Sequence, residues 1–130
     1  MNQDAIQSFV DGLNASWQRE RAEHQMTLGK LIEALEAMPD GCTVRNLSWP
    51  KSYRGYYTDI AFDLDDGFVP ALELLALAKS CLGEVFQGYK GGDYAMTKLT
   101  PVWIADYGCC DAKLMGFDGK GDVITEEEDL

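Results

Sequence analysis

The apolar positions in the first third of the chain recur at helical spacing and predict two helices. Starting at Ile6, they fall at i, i+3, i+4, i+7 and i+11, which marks one face of a helix over Asn2–Glu23. A second helix is expected over Thr27–Leu35, because a threonine hydroxyl suits the N-cap position. Pro39-Asp40-Gly41 has the composition of a helix end followed by a turn.

The middle of the chain changes to a period of two residues, which is typical of strands. A short strand is expected over Cys42–Leu47, and a loop over Ser48–Gly55, where Trp49-Pro50 favours extended backbone. Tyr56–Leu64 then alternates strictly, so that Asp59 and Asp63 share the face opposite the large apolar residues and are expected to face solvent. Asp65-Asp66-Gly67 has the composition of a turn. The two aspartates do not indicate a calcium site, because they lack the spacing of an EF-hand loop.

The second half of the chain predicts one more helix and a series of strands. Pro70 suits the first turn of a helix that is apolar on most sides, and Gly83 should end it. Four extended segments follow: Val85–Phe86, Tyr94–Met96, the strongly apolar Pro101–Tyr107, and an edge strand over Lys113–Phe117.

This order of elements predicts an α+β fold with an antiparallel or mixed sheet of four to six strands, packed with two or three helices. We divide the chain into an N-terminal helix (residues 1–25), an α+β domain (26–117) and an acidic tail (118–130). The N-terminal helix either packs on the domain or forms an arm that binds a partner or a second copy of the chain. The tail is expected to be solvated and disordered, and removal of residues 119–130 should change the melting temperature little.

The net charge of −11 disfavours non-specific binding to nucleic acid or to an anionic membrane surface. The sequence has no apolar run near the length of a membrane span, and its four cysteines show no Cys-x-x-Cys spacing. These features favour a reduced, cytoplasmic protein. A single histidine, His24, argues against a zinc site, and no cofactor is expected.

Two glycine-punctuated loops carry cations among tyrosines and are the candidate ligand site. The first contains Ser52-Tyr53-Arg54-Gly55-Tyr56-Tyr57 and the second Gly88-Tyr89-Lys90-Gly91-Gly92. We expect Arg54 and Lys90 to bind an anion, since each presents a charged hydrogen-bond donor. The expected lining residues are Tyr53, Tyr56, Tyr57, Tyr89, Trp49, Gly88, Gly91 and Gly92. The same composition also suits a protein interface or purely structural turns.

Catalytic groups are not evident in the sequence. The aspartates do not form an identifiable acid–base pair, and no serine stands in a nucleophile motif. We therefore do not expect an enzyme.

The loop motifs Ser52–Tyr57 and Gly88–Gly92, together with Thr100-Pro101-Val102-Trp103-Ile104-Ala105, resemble a family of small proteins carried by bacteriophages and prophages. The likeness extends over roughly residues 26–108 and includes the helix start at Thr27. The resemblance implies a setting and not an activity: a phage accessory protein in the cytoplasm of a bacterial host, with counter-defence as its role.

Three hypotheses of function follow. The leading one is non-catalytic binding and sequestration of a small anionic ligand, which is nucleotide-derived in its most specific form. The second is an acidic inhibitor of the nucleic-acid-mimic type, such as an anti-CRISPR protein, that blocks a host defence complex through the acids of the first helix and the tail. The third is a structural phage component without a ligand.

Overall fold

The computed structural model describes residues 19–53, 56–88, 91–105 and 112–127. Helix α1 is described over residues 19–24; the remainder of the predicted N-terminal helix lies outside the described residues. The later helices are α2 (Leu28–Glu36) and α3 (Ala71–Cys81). The strands are β1 (Thr43–Ser52), β2 (Ile60–Pro70), β3 (Val85–Gln87), β4 (Asp93–Ala95), β5 (Val102–Ala105), β6 (Ala112–Phe117) and β7 (Val123–Glu127).

The predicted α+β class is confirmed. Five strands form one mixed sheet in the order β1-β2-β5-β6-β7, and β3 and β4 form a separate antiparallel hairpin. Only the β2–β5 pairing is parallel among those described, with Ile60 opposite Val102. Helix α3 and the β3–β4 hairpin lie in the connection that a parallel pair requires.

The inner face of the sheet packs against α2 and α3 and forms the main core. Helix α2 begins as predicted, because the Thr27 hydroxyl accepts a hydrogen bond from the Lys30 N–H at 3.2 Å. Its buried residues are Leu28, Leu31, Ile32 and Leu35. Phe62, Val102, Ile104 and Leu114 meet them from the sheet. The apolar periodicity of the sequence therefore identified this face correctly.

Strand β1 is longer than predicted, since it continues through most of the expected Ser48–Gly55 loop. Between the pairs Ser48–Asp63 and Lys51–Ala61, two residues of β1 oppose one residue of β2. Such a bulge accommodates Pro50, which has no N–H to donate, and a left-handed backbone at Trp49, whose φ is 49°. The loop prediction was wrong here because a bulge lets a strand carry residues typical of turns.

Strand β2 likewise begins and ends later than predicted. Residues 56–59 form a turn instead of the first half of a strand, with the Asp59 N–H donating to the Tyr56 carbonyl at 2.8 Å. The Asp65-Asp66-Gly67 segment lies within β2, so the predicted turn is wrong. This segment forms a second bulge. Arg45 and Leu47 of β1 have one residue between them, whereas their partners on β2, Phe68 and Leu64, have three.

The described part of the acidic tail, residues 118–127, is not the disordered segment that its composition predicted: it forms a turn and the paired strand β7. Strand β7 pairs with β6 along its length, so β6 is not an edge strand. The Asp118 carboxylate closes the turn by accepting from the N–H groups of Lys120 and Asp122. The turn also contacts β1, where the Arg45 N–H donates to the Gly121 carbonyl at 2.8 Å.

Among the described helices, none is long and apolar enough to span a bilayer.

Candidate functional site

The outer face of the sheet carries a buried ion pair between α1 and the turn that precedes β2. Arg21 donates from Nε to Asp59 Oδ2 at 2.6 Å and from Nη2 to Asp59 Oδ1 at 2.8 Å. The Asp59 side chain is fully buried, and that of Arg21 is 13% exposed. Both nitrogens of one edge of the guanidinium thus bind both carboxylate oxygens, the bidentate geometry that fixes orientation best.

Aromatic rings enclose this ion pair. The Trp103 Nε1–H donates to Asp59 Oδ2 at 2.9 Å, and the Tyr53 ring stacks on Trp103 with centroids 4.3 Å apart and planes 1° from parallel. The Arg21 guanidinium carbon lies 4.1 Å from the centroid of the Tyr56 ring. Asp59, Tyr53 and Trp103 are all buried, so the carboxylate is shielded from water.

Burial is the largest influence on the Asp59 carboxyl and raises its pKa. The hydrogen bond from Arg21 opposes the shift most strongly, followed by the hydrogen bond from Trp103. The raised pKa means that the carboxylate loses more favourable interaction with water on folding than it gains from Arg21 and Trp103. The neighbouring cation and indole are therefore required to keep a charge at this position.

Gln25 attaches the end of α1 to the sheet. Its side-chain amide donates from Nε2 to the Val102 carbonyl at 2.9 Å, while its Oε1 is buried without a hydrogen-bond partner. Two backbone bonds continue this attachment: Met26 N–H donates to the Leu114 carbonyl, and Val102 N–H donates to the Met26 carbonyl. The chain from Arg21 to Met26 is therefore fixed against β5 and β6.

Two open cavities of about 430 Å³ each lie beside this attachment. The first chamber is lined by Glu20, Arg21, His24, Gln25, Tyr56, Trp103 and Lys113. The second chamber is lined by Ala22, Glu23, His24, Gln25, Met26, Lys30, Lys113, Met115 and Glu126. His24, Gln25 and Lys113 line both chambers, and we call these three residues the waist. Within the described residues, Lys113 forms no salt bridge.

The two predicted loops meet, although three of their predicted ligand residues cannot be placed. Arg54, Tyr89 and Lys90 lie outside the described residues. A Cβ built on Gly88 would lie 3.3 Å from Cγ of Tyr57, so the loops are in contact at this point. The Tyr57 ring also lies 5.6 Å from that of Tyr94.

The other predicted lining residues are divided between different surroundings. Tyr53 is buried in the stack on Trp103, and Tyr56 lies against Arg21 and the first chamber. The Trp49 side chain, by contrast, is 75% exposed at the β1 bulge. Tyr53 and Tyr56 therefore lie in surroundings different from those of Trp49.

The glycines of the second loop serve the β3–β4 hairpin. The Gly88 N–H donates to the Gly92 carbonyl, and the Gly91 N–H donates to the Gly88 carbonyl, each at 3.0 Å. Gly91 and Gly92 have φ values of 94° and 88°, which an L-residue adopts only with strain. Two backbone donors of the predicted anion site are thus used inside the turn.

Sequence reasoning missed the residues that the structure brings together on the outer face. Asp59 was expected to face solvent, which is wrong. Its assignment to the face shared with Ala61 was correct, but Tyr53, Trp103 and Arg21 cover that face. The useful signal was the tryptophan at the centre of an apolar strand, because a buried indole N–H needs an acceptor.

The described residues offer few groups for other chemistry. No three His, Cys, Asp or Glu side chains among them converge to hold a metal ion. Burial raises the pKa of the Cys81 thiol to about 11, so this cysteine is a poor nucleophile. The groups that remain at the chambers are cations, acids, an amide and aromatic rings, which are suited to binding.

Comparison of the chain with protein-family models, curated proteins and solved structures gives no match.

Proposed function

We propose that this protein binds and sequesters a small anionic ligand without transforming it. The ligand would lie in the first chamber, with its anionic group beside Lys113 and a planar part against Tyr56. A nucleotide-derived ligand combines both features. Sequestration also agrees with the counter-defence role, in the cytoplasm of a bacterial host, that the resemblance to phage-borne proteins suggests.

The state of Lys113 carries the proposal. This residue is half-buried at the junction of two cavities and has no ion pair among the described residues. Glu126 stands opposite Lys113 in the β6–β7 pairing but forms no salt bridge with it, so a bound anion would supply this partly desolvated ammonium with a charged hydrogen-bond partner. Lys113 thus places a positive charge at the cavities of a strongly acidic chain, which has 22 acids against 11 bases.

The surroundings of Lys113 favour a rigid binding site. Arg21 and Asp59 fix one wall through their bidentate pair, and Gln25 is bonded to the backbone of β5. A wall that is already ordered loses little conformational entropy when a ligand binds. The described part of the chambers offers no activated nucleophile, which is why binding is proposed in preference to catalysis.

A calorimetric screen with inorganic phosphate, a nucleoside monophosphate and a dicarboxylate tests the proposal. Replacing Lys113 by Met removes the ammonium and keeps much of the side-chain volume. We expect this variant to lose about 1.5–3 kcal/mol of binding free energy, the range for a hydrogen bond to a charged group. The matched control is Lys79→Met, because Lys79 is an exposed lysine on α3 paired with Glu36.

The outcome can also discriminate between two positions of the site. Loss of binding in Lys113→Met, with normal binding in Lys79→Met, supports the chambers. Loss of binding in Arg54→Ala and Lys90→Ala, with Lys113→Met unaffected, would place the ligand at the two loops instead. Failure of every anion to bind the wild-type protein would contradict the proposed function.

A second candidate function, the acidic inhibitor, is favoured by one specific observation. Glu23 of α1 and Glu126 of β7 line the same chamber, so acids from the first helix and from the tail share one surface. If this surface imitates a nucleic-acid backbone, binding to a basic defence complex should weaken as salt rises. Glu23→Gln with Glu126→Gln should weaken it further. Salt-insensitive binding that survives both changes would exclude this candidate.

A further inference from the structure

Gln25 lies where β5 and β6 separate, beside a cross-strand pair. Trp103 of β5 is the partner of Lys113 of β6. At the preceding position of β5, Val102 instead donates its N–H to the Met26 carbonyl and accepts from the Gln25 amide. Paired residues of neighbouring strands have Cβ atoms about 5 Å apart on one face of the sheet. The strand register therefore brings an indole, an ammonium and the Gln25 amide close together.

The Gln25 amide can only accept a further hydrogen bond from the direction of the chamber. Its Nε2 is committed to the Val102 carbonyl at 2.9 Å, and turning the amide over would set two oxygens against each other. Gln25 is only 5% exposed, and its Oε1 is buried without a partner among the described residues. A buried acceptor without a donor is unfavourable, so this oxygen favours a ligand that supplies one.

The chemistry of Oε1 restricts the part of a ligand that can meet it. Carboxylate and phosphate oxygens have no proton to offer, so an anionic group would be repelled by Gln25 and attracted to Lys113. An ammonium would gain one neutral acceptor here, which is too little for a charge that leaves water. A neutral N–H fits best. Tyr56 and Trp103 line the same chamber and accept planar rings, so the N–H belongs to a flat ring.

We infer that the ligand is a nucleotide whose base donates an N–H to Gln25 Oε1 while its phosphate binds Lys113. The inference rests on the proposed function and makes it more specific. Because Oε1 is fully covered, a side chain of the chamber wall must turn aside as the base enters. Lys113 can do so, since its stem is flexible and it forms no salt bridge within the part of the chain that is described.

The test compares three purine nucleotides that have nearly the same size and carry the same phosphate. The base of purine riboside monophosphate has no N–H group, that of adenosine monophosphate has an exocyclic amine, and that of inosine monophosphate has a ring N–H. We expect the wild-type protein to bind adenosine or inosine monophosphate at least about tenfold more tightly than purine riboside monophosphate. The tighter of the two identifies the donor as an amine or a ring N–H.

Removing the acceptor should abolish this preference. Gln25→Met keeps most of the side-chain volume and has no amide oxygen, so we expect it to bind all three nucleotides equally, whatever its absolute affinity. Gln87→Met is the matched control and should behave as wild type, because Gln87 is exposed at the end of β3. If Gln25→Met loses its melting transition, Gln25→Lys replaces it, since an ammonium can still donate to the Val102 carbonyl but cannot accept.

Each failure has a distinct result. Equal binding of the three nucleotides by the wild-type protein overturns the inference and leaves the proposed function standing. Binding of another anion, with none of the three nucleotides bound, does the same. A preference that persists in a folded Gln25 variant also overturns the inference, because the N–H would then meet a different acceptor. Absence of binding by any anion overturns both the inference and the proposed function.

Discussion

The guanidinium of Arg21 binds both carboxylate oxygens of Asp59, across 38 positions of the chain, and so joins α1 to the β1–β2 connection. Because Asp59 is fully buried while Arg21 retains some exposure, removing one partner should not change the free energy of unfolding by the same amount as removing the other. This pair also forms a wall of the first chamber through Arg21. The stability of the outer face and the shape of the proposed site therefore depend on the same contact.

Removal of Arg21 should destabilise the protein more than removal of Asp59. Arg21→Met leaves a buried carboxylate without its cation, which costs about 3–5 kcal/mol of the free energy of unfolding. Asp59→Asn should cost less, since the guanidinium can turn toward solvent. Urea unfolding of both single variants and of the double variant provides the measurement. If the double variant is less stable than Arg21→Met alone, this asymmetry is wrong.

The cost of Arg21→Met should also depend on pH. Burial already raises the pKa of Asp59 above the ordinary aspartate value of 3.8, and loss of the cation raises it further. The folded variant then binds a proton more readily than the unfolded chain, so its free energy of unfolding falls as the pH rises through the window above 3.8. We expect the difference from wild type to be smaller at acidic than at neutral pH. A difference that widens on acidification would contradict this assignment.

The turn between β6 and β7 should be essential for stability. A Cβ on Gly121 would lie 2.2 Å from the Thr43 carbonyl oxygen, and the φ of Gly121 is +83°. Gly121→Ala should therefore cost about 2–4 kcal/mol from overpacking and backbone strain together. Gly119→Ala is the matched control, because nothing lies within 4 Å of its Cβ position. Equal urea midpoints for the two variants would show that the turn is not held against β1.

Because the β6–β7 turn contacts β1, we no longer expect residues 119–130 to be dispensable for folding. Their removal would delete β7 and expose the edge of β6. We now expect the truncated chain to melt well below the full-length protein. An unchanged melting temperature would favour the original expectation.

Trp49 should be dispensable for folding. Its side chain is largely exposed, and its φ of 49° is unfavourable for a large residue. Asn tolerates this backbone better, so Trp49→Asn should keep or raise the free energy of unfolding, within about 1 kcal/mol. A larger loss in urea unfolding would show that the indole packs on the protein. If stability is kept and binding to a basic partner is lost, Trp49 belongs to the interface of the second candidate function.

The sequence predicted the inner face of the fold well because that face follows simple periodicity. Leu28, Leu31 and Leu35 of α2 and Phe62 of β2 stand where their spacing placed them. The strand limits were less accurate, because bulges at Trp49 and at Asp65–Gly67 place turn-forming residues inside strands. No local pattern distinguishes such a bulge from the end of a strand.

The outer face was harder to predict because its contacts join distant segments. Arg21 and Asp59 are unremarkable surface charges in their own sequence neighbourhoods, and only the fold brings them together beneath the aromatic rings. The β6–β7 hairpin was more accessible to prediction. An aspartate–glycine turn between two extended segments is a recognised hairpin signal, but the acidic composition of the tail suggested solvation instead.

The most direct test of the central claim, that the first chamber holds a small anion, uses mass spectrometry. Wild-type, Lys113→Met and Lys79→Met proteins are incubated with the small-molecule filtrate of a bacterial extract, washed and denatured, and the released molecules are identified. We predict that wild type and Lys79→Met retain the same anionic compound and that Lys113→Met does not. Retention of that compound by Lys113→Met, or retention of no anion by the wild-type protein, would contradict the account.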